Sequence, residues 1–228
     1  IKDFHTMRPV TKISIVILIT AEFCFTGCKP KTNKNQEPVV KTTFGVISGS
    51  FNNDVYAFKG IPYAKAERFM PPQDPDSWNG IRECKNFGPV ARQIVPWYPD
   101  SIQNEKELFS VNVWTRGIMD GKKRPVMLWL HGGGFHVGAS NDPMTYGEAM
   151  AKKGDIVLVS VNHRLNILGF LDLSACGEKY EKSANVGMLD IVKALEWIRK
   201  NIEKFGGNPS NVTIVGESGG GGKAGTLM

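Results

Sequence analysis

Histidine is scarce in this chain and poorly placed for acid–base work. There are four in 228 residues, and His5, His131, His136 and His163 all precede the glycine-rich stretch at the end. Cysteine is as scarce: Cys24 and Cys28 lie near the start, Cys84 and Cys176 in the body. No spacing among them resembles a metal site. A single Cys84–Cys176 bridge and two free thiols both remain open. Long apolar runs are missing. Ile13–Ala21 is ended by Glu22 and is too short to span a bilayer. Charge of one sign is missing from the body as well. The formal charge is +6, but residues 1–43 carry seven Lys/Arg against three Asp/Glu, which leaves the rest at +2. A nucleic-acid partner therefore has no electrostatic support. No internal repeat is visible. What is present, 41% apolar and 22% charged residues, is the composition of a soluble globular protein, long enough for one ordinary domain or two small ones.

The first methionine is Met7, so Ile1–Thr6 reads as upstream residues. From Met7 follow Arg8 and Lys12, the apolar run, and Phe25-Thr26-Gly27-Cys28, the layout of a secretory signal with its basic, apolar and small-residue regions. The last four residues resemble a bacterial lipobox, which makes Cys28 a candidate lipidation site and predicts an exported, lipid-anchored protein of the bacterial cell envelope. A plain secretory signal, with Cys28 incidental, is the alternative. Residues 1–28 are thus read as upstream residues and signal, and 29–43 as a flexible linker, because Lys29–Thr43 is polar, basic and broken by proline. Residues 44–228 are the folded body.

Within the body, Phe44–Gly49 and Val55–Phe58 read as short strands around an Asn52-Asn53-Asp54 turn, and Gly60–Pro99 as a long irregular surface segment. Buried-type strands follow at Leu108–Thr115, Val126–Leu130 and Ile156–Val161. A helix is predicted over Met144–Lys153, with Gly154 as its stop. The clearest helix carries Ile191, Leu195, Ile198, Ile202 and Phe205 on one stripe and is closed by Gly206-Gly207. Strands alternating with helices predict an α/β fold with a mostly parallel central sheet, whose ligands bind beyond the carboxyl ends of the strands.

Two glycine-rich stretches stand at such ends. After Val212–Val215 comes Gly216-Glu217-Ser218-Gly219-Gly220, which fits G-x-S-x-G, the strand-to-helix turn that exposes a nucleophilic serine and aims the next N–H at the reacting carbonyl. A phosphate-binding loop is the competing pattern. Counting back from Lys223 puts Glu217 where its first glycine belongs, and Ala224 replaces the magnesium-binding hydroxyl. After Val126–Leu130 comes His131-Gly132-Gly133-Gly134-Phe135, the HGGG pattern that supplies oxyanion-hole N–H groups.

With these stretches, Phe58–Ala64, Val111–Thr115, Val161–Leu165, Leu168–Phe170, Asn185–Asp190 and Phe205–Pro209, the chain resembles the type B carboxylesterases from about Phe44 to Met228. The resemblance implies the N-terminal portion of an α/β-hydrolase fold. It makes Ser218 the nucleophile, Glu217 its electrostatic neighbour, and Gly133, Gly134 and Gly219 the oxyanion donors. The partner it implies is a small-molecule ester, with thioester, lactone and carbamate left open, and no metal or other cofactor. Trp97 and Tyr98 are candidates for lining the approach. Departures are Gly219 in place of the usual alanine, His163 in place of a tyrosine, Ile191 in place of glutamine, and Ala91 and Leu108 in place of a cysteine pair, so that loop must be held another way. In these folds the triad runs serine, acid, histidine along the chain. The resemblance therefore puts acid and histidine beyond Met228 and makes residues 44–228 an incomplete domain, inactive as it stands. A non-catalytic binding protein on the same fold is the rival reading.

Overall fold

A strand buried on both faces needs cover on both, and the middle of this chain supplies two such strands together. The computed structural model describes residues 37–143 and 147–228. In chain order the elements are β1 (Val39–Lys41), β2 (Val46–Ser48), β3 (Ser50–Asn52), β4 (Val55–Pro62), β5 (Ile81–Glu83), β6 (Ser110–Thr115), β7 (Arg124–Leu130), α1 (Glu148–Gly154), β8 (Val157–Val161), α2 (Asn166–Phe170), α3 (Val186–Asn201), β9 (Gly207–Gly216) and α4 (Gly219–Thr226). Every residue of β6 and β8 is buried.

The main sheet has the order β3-β4-β6-β8-β7-β9. It is mixed rather than mostly parallel. β3 with β4, β4 with β6 and β6 with β8 pair antiparallel, and only β8-β7-β9 is parallel. The physical reason is the connections: β3 and β4 are joined by the two-residue turn Asn53-Asp54, both at positive φ (49° and 65°), which can only join antiparallel strands. The parallel strands are the ones with helical crossovers between them.

A small sheet, β1-β2-β5, packs beside it. Its first strand lies within the stretch expected to be a linker. Val40 is fully buried, and Thr43 bonds through its N–H (2.7 Å) and its hydroxyl (2.8 Å) to Asn201 Oδ1 at the end of α3. From residue 39 the chain is therefore folded, because a single apolar side chain and a paired edge suffice to dock it. The lipobox and Cys28 lie outside the described residues, as do Met144–Tyr146 of the predicted helix, whose remainder is α1. Among the described residues no helix is long and apolar enough to cross a membrane.

The helical stripe is present in α3 and the 3₁₀ turn after it. Ile191, Ile198, Ile202 and Phe205 are buried, while Leu195 is only partly so and Ala194 and Trp197 fill the face. Phe205 meets Phe58 of β4 edge-on at 5.2 Å. Asp190 of α3, fully buried, accepts from Arg164 Nε (2.9 Å), Nη2 (2.6 Å) and backbone N–H (3.0 Å). Arg164 Nη1 also donates to the Met70 carbonyl at 2.8 Å, so one guanidinium ties β8's exit, α3 and the irregular segment together. Cys84 and Cys176 are free, one buried and one exposed, and burial pushes the Cys84 thiol up to about 11.

Candidate active site

The site begins with a register. Leu130 pairs with Gly216 across parallel strands β7 and β9, so the two glycine-rich stretches leave the sheet side by side. Ser218 stands at φ 51°, ψ −119°, a conformation that non-glycine residues hold only when their surroundings impose it. The surroundings here are steric. A β-carbon on Gly216 would lie 2.2 Å from the Gly220 carbonyl carbon, and one on Gly220 would lie 2.0 Å from the Leu130 oxygen. Only hydrogen fits at either place, which lets α4 start directly on the strand ends. The result is an exposed Ser218 one residue before the N-terminus of α4. Glu217 is exposed, and its carboxylate covers Gly132: a β-carbon there would stand 2.4 Å from Oε2.

The second loop turns back on itself. Gly133 adopts φ 87°, and its carbonyl accepts from His136 N–H (3.0 Å) and Val137 N–H (3.1 Å). Phe135 is forced to φ 68°; its carbonyl accepts from Asn166 N–H at 2.8 Å and its ring meets Phe170 edge-on at 5.3 Å. Gly134 N lies 2.6 Å from where a β-carbon on Gly219 would stand, so elbow and loop are in contact at the predicted oxyanion positions. Among the described residues, the N–H groups of Gly133, Gly134 and Gly219 have no accepting partner. Three such donors from adjacent turns are what a developing oxyanion requires.

Sequence reasoning missed how the loop is held. Gln93 does it: its Oε1 accepts from Gly138 N–H (2.8 Å) and its Nε2 donates to the Gly138 carbonyl (3.0 Å). Gln103 in turn accepts from Gln93 N–H (2.9 Å) and donates to the carbonyls of Gln93 (2.9 Å) and Tyr98 (2.6 Å). This pair of buried amides braces the segment that lacks the cysteine pair. A lone glutamine carries no signal in sequence, so nothing could have singled it out. Tyr98 is buried against Val90 and Ala139, and Trp97 is two-thirds exposed.

His131 and His163 are both buried and stack at 4.8 Å and 10°. Each donates from Nδ1 to a carbonyl, of Gly132 (2.9 Å) and Arg164 (2.8 Å), which leaves both Nε2 atoms as buried acceptors without a partner. Burial, reinforced by the Lys223 charge, pushes His131 down to about 3; burial first, and the Lys223 charge with it, hold His163 well below its ordinary value. Both are neutral and turned to the backbone. Among the described residues none of the histidines bonds Ser218, and no group of three His, Cys, Asp or Glu could hold a metal ion.

A strand, a strained serine elbow, a helix, and a glycine loop from the neighbouring parallel strand define an α/β-hydrolase. The chain belongs to the carboxylesterase family, whose profile matches residues 36–228. It is 38% identical over 191 residues to the para-nitrobenzyl esterase of Bacillus subtilis, covering 80% of this chain and 38% of that protein. Among solved structures, a Geobacillus stearothermophilus carboxylesterase is 46% identical with a TM-score of 0.77, covering 83% of this chain and 40% of its own. An esterase of Clostridium hathewayi, described as able to hydrolyse aliphatic aromatic polyesters, is 44% identical with a TM-score of 0.79 over 83% and 40%. The chain thus spans about two fifths of the length of these relatives.

Proposed function

We propose that the complete protein is a serine carboxylic-ester hydrolase. Ser218 Oγ attacks the ester carbonyl carbon while a histidine from beyond residue 228, oriented by a carboxylate also beyond it, takes the hydroxyl proton. The carbonyl oxygen becomes an oxyanion held by the N–H groups of Gly133, Gly134 and Gly219. Collapse breaks the bond to the leaving alcohol, which receives the proton, and water then hydrolyses the acyl-serine by the same steps in reverse order. Glu217 closes the side of the glycine loop. The observation that carries this reading is the contact between Gly134 N and the Gly219 position beside a serine held at positive φ.

The test is labelling of the full-length protein by a fluorophosphonate, with turnover of p-nitrophenyl acetate alongside. Wild type is expected to label and turn over, and Ser218→Ala to do neither. Equal labelling of both proteins would sink the assignment. We also propose export and lipid attachment at Cys28, supported by the basic, apolar and small-residue order before it. Palmitate-analogue incorporation that survives Cys28→Ser would overturn it.

A further inference from the structure

The elbow helix buries an ion that the hydrolysis scheme does not use. Lys223, the fifth residue of α4, is completely buried, and among the described residues no carboxylate pairs with it. Its ammonium donates to the His131 carbonyl at 3.0 Å and sits 5.3 Å from the centre of the Phe135 ring. Those two residues bracket the three glycines of the oxyanion loop. A buried, unpaired ammonium is costly, and a hydrocarbon side chain of the same length would pack there without that cost.

Accepting the reading of Ser218 and its oxyanion donors given above, we propose that Lys223 is a positioning residue for ester hydrolysis: it clamps both ends of the His131–Phe135 loop onto the elbow helix and sets an unneutralised positive charge behind the donors that receive the oxyanion. The two effects act in one direction. Fixing the loop keeps its N–H groups aimed before the reaction begins, and a fixed charge in a low-dielectric site gains strength as negative charge develops on the substrate. Neither effect needs contact with substrate.

Burial lowers the Lys223 ammonium to about 8. The groups facing it are His131 at the end of β7 and His163 after β8, both held neutral; Arg164 beyond them is matched by Asp190, and Glu217 lies on the exposed side of the elbow. Loss of the proton therefore removes the charge without a compensating change nearby, and kcat is expected to fall as pH rises through about 8.

The experiment uses the full-length protein, with active sites counted by fluorophosphonate titration so that only intact sites enter kcat. Lys223→Met is expected to lower kcat about tenfold at pH 7 with KM within twofold, to keep or raise Tm, and to lose the decline near pH 8. Lys223→Arg keeps the charge and donor without titrating in this range, so it should retain most of kcat and also lose the decline. A Lys223→Met enzyme with wild-type kcat and pH profile overturns the proposal, as does a decline near pH 8 that persists in Lys223→Arg; the latter decides the matter even if the methionine variant does not fold. If Ser218→Ala still turns over ester, the nucleophile assignment has failed instead, and that result is separable because it does not depend on Lys223.

Discussion

The two loops of the site are held in opposite ways. The elbow, residues 216–222, is fixed by close backbone approach: only hydrogen fits at Gly216 and Gly220, and its hydrogen bonds, Gly220 N–H to Glu217 O (2.7 Å) and Gly222 N–H to Ser218 O (3.2 Å), are local. The oxyanion loop, residues 131–138, is held from outside by Gln93, by His163 and Asn166, and by Lys223, which come from three distant parts of the chain. A turn fixed by sterics is encoded in five consecutive residues. A turn fixed by remote polar side chains is encoded across 130 positions, from Gln93 to Lys223, and is the one that can be loosened without touching a motif.

The largest effect expected is at the elbow. In Gly220→Ala the new methyl would stand 2.0 Å from the Leu130 carbonyl oxygen, and both are backbone-bound. The strand end or the helix must move, at a cost of about 3 kcal/mol or more. A denaturation midpoint of the full-length protein close to wild type would break the view that sterics alone fix this turn. Next comes Gln93→Ala, which strands the Gly138 N–H and carbonyl in a partly buried setting. Stability is expected to drop by about 1–3 kcal/mol, and kcat to fall more than KM rises, since the loop that loosens carries oxyanion donors rather than substrate-binding groups. Steady-state kinetics at a temperature where the variant stays folded would check this.

The same difference explains what could be read from the sequence. Val126–Leu130, Val157–Val161 and the α3 stripe are legible because burial on two faces or one face dictates their residue types. Ser218 and its glycines are legible because close approach dictates theirs. The antiparallel half of the sheet is legible only in its Asn52-Asn53-Asp54 turn and its separate strands: β3 is three residues long and β6 returns after a long irregular segment, so their pairing leaves no periodic trace. Val39–Lys41 reads as linker because a three-residue strand is too short to show alternation. Gln93 and Lys223 are invisible for a different reason: a single polar residue acquires a role only when the fold brings a partner, and Lys223 in sequence suggests a phosphate loop that its neighbours deny.

Where the loops touch, a smaller effect is expected. Gly219→Ala restores the residue usual in the family, yet its methyl would stand 2.6 Å from Gly134 N and 2.9 Å from Gly134 Cα. Since the elbow cannot yield, the oxyanion loop must. A shift of that size is expected to cost about tenfold in kcat, or about 1.4 kcal/mol in transition-state stabilisation. The further loss on adding Gly219→Ala is expected to be smaller in the Gln93→Ala background, where the unbraced loop gives way to the methyl, and comparing the two backgrounds measures how far the outer contacts govern the loop.

The smallest effect is one of pH, and it isolates the outer support. His163 is neutral in the folded protein because burial, helped by the Lys223 charge, holds it well below its ordinary value. In the unfolded chain it takes up a proton near pH 6.5. Below that pH the unfolded state binds more protons than the folded state, so folding stability falls with acidification, and continues to fall until the folded-state value is reached. Between pH 7 and pH 6 the loss is under about 1 kcal/mol for one such histidine. His163→Tyr, which restores the family's usual residue, removes this titration. The drop in unfolding free energy between pH 7 and pH 6 is expected to shrink by that amount, while Ser218 labelling at pH 7 stays unchanged. An undiminished drop would mean that the stacked pair is not what makes the support of the oxyanion loop acid-sensitive, and that His131 alone, held down to about 3, carries the effect.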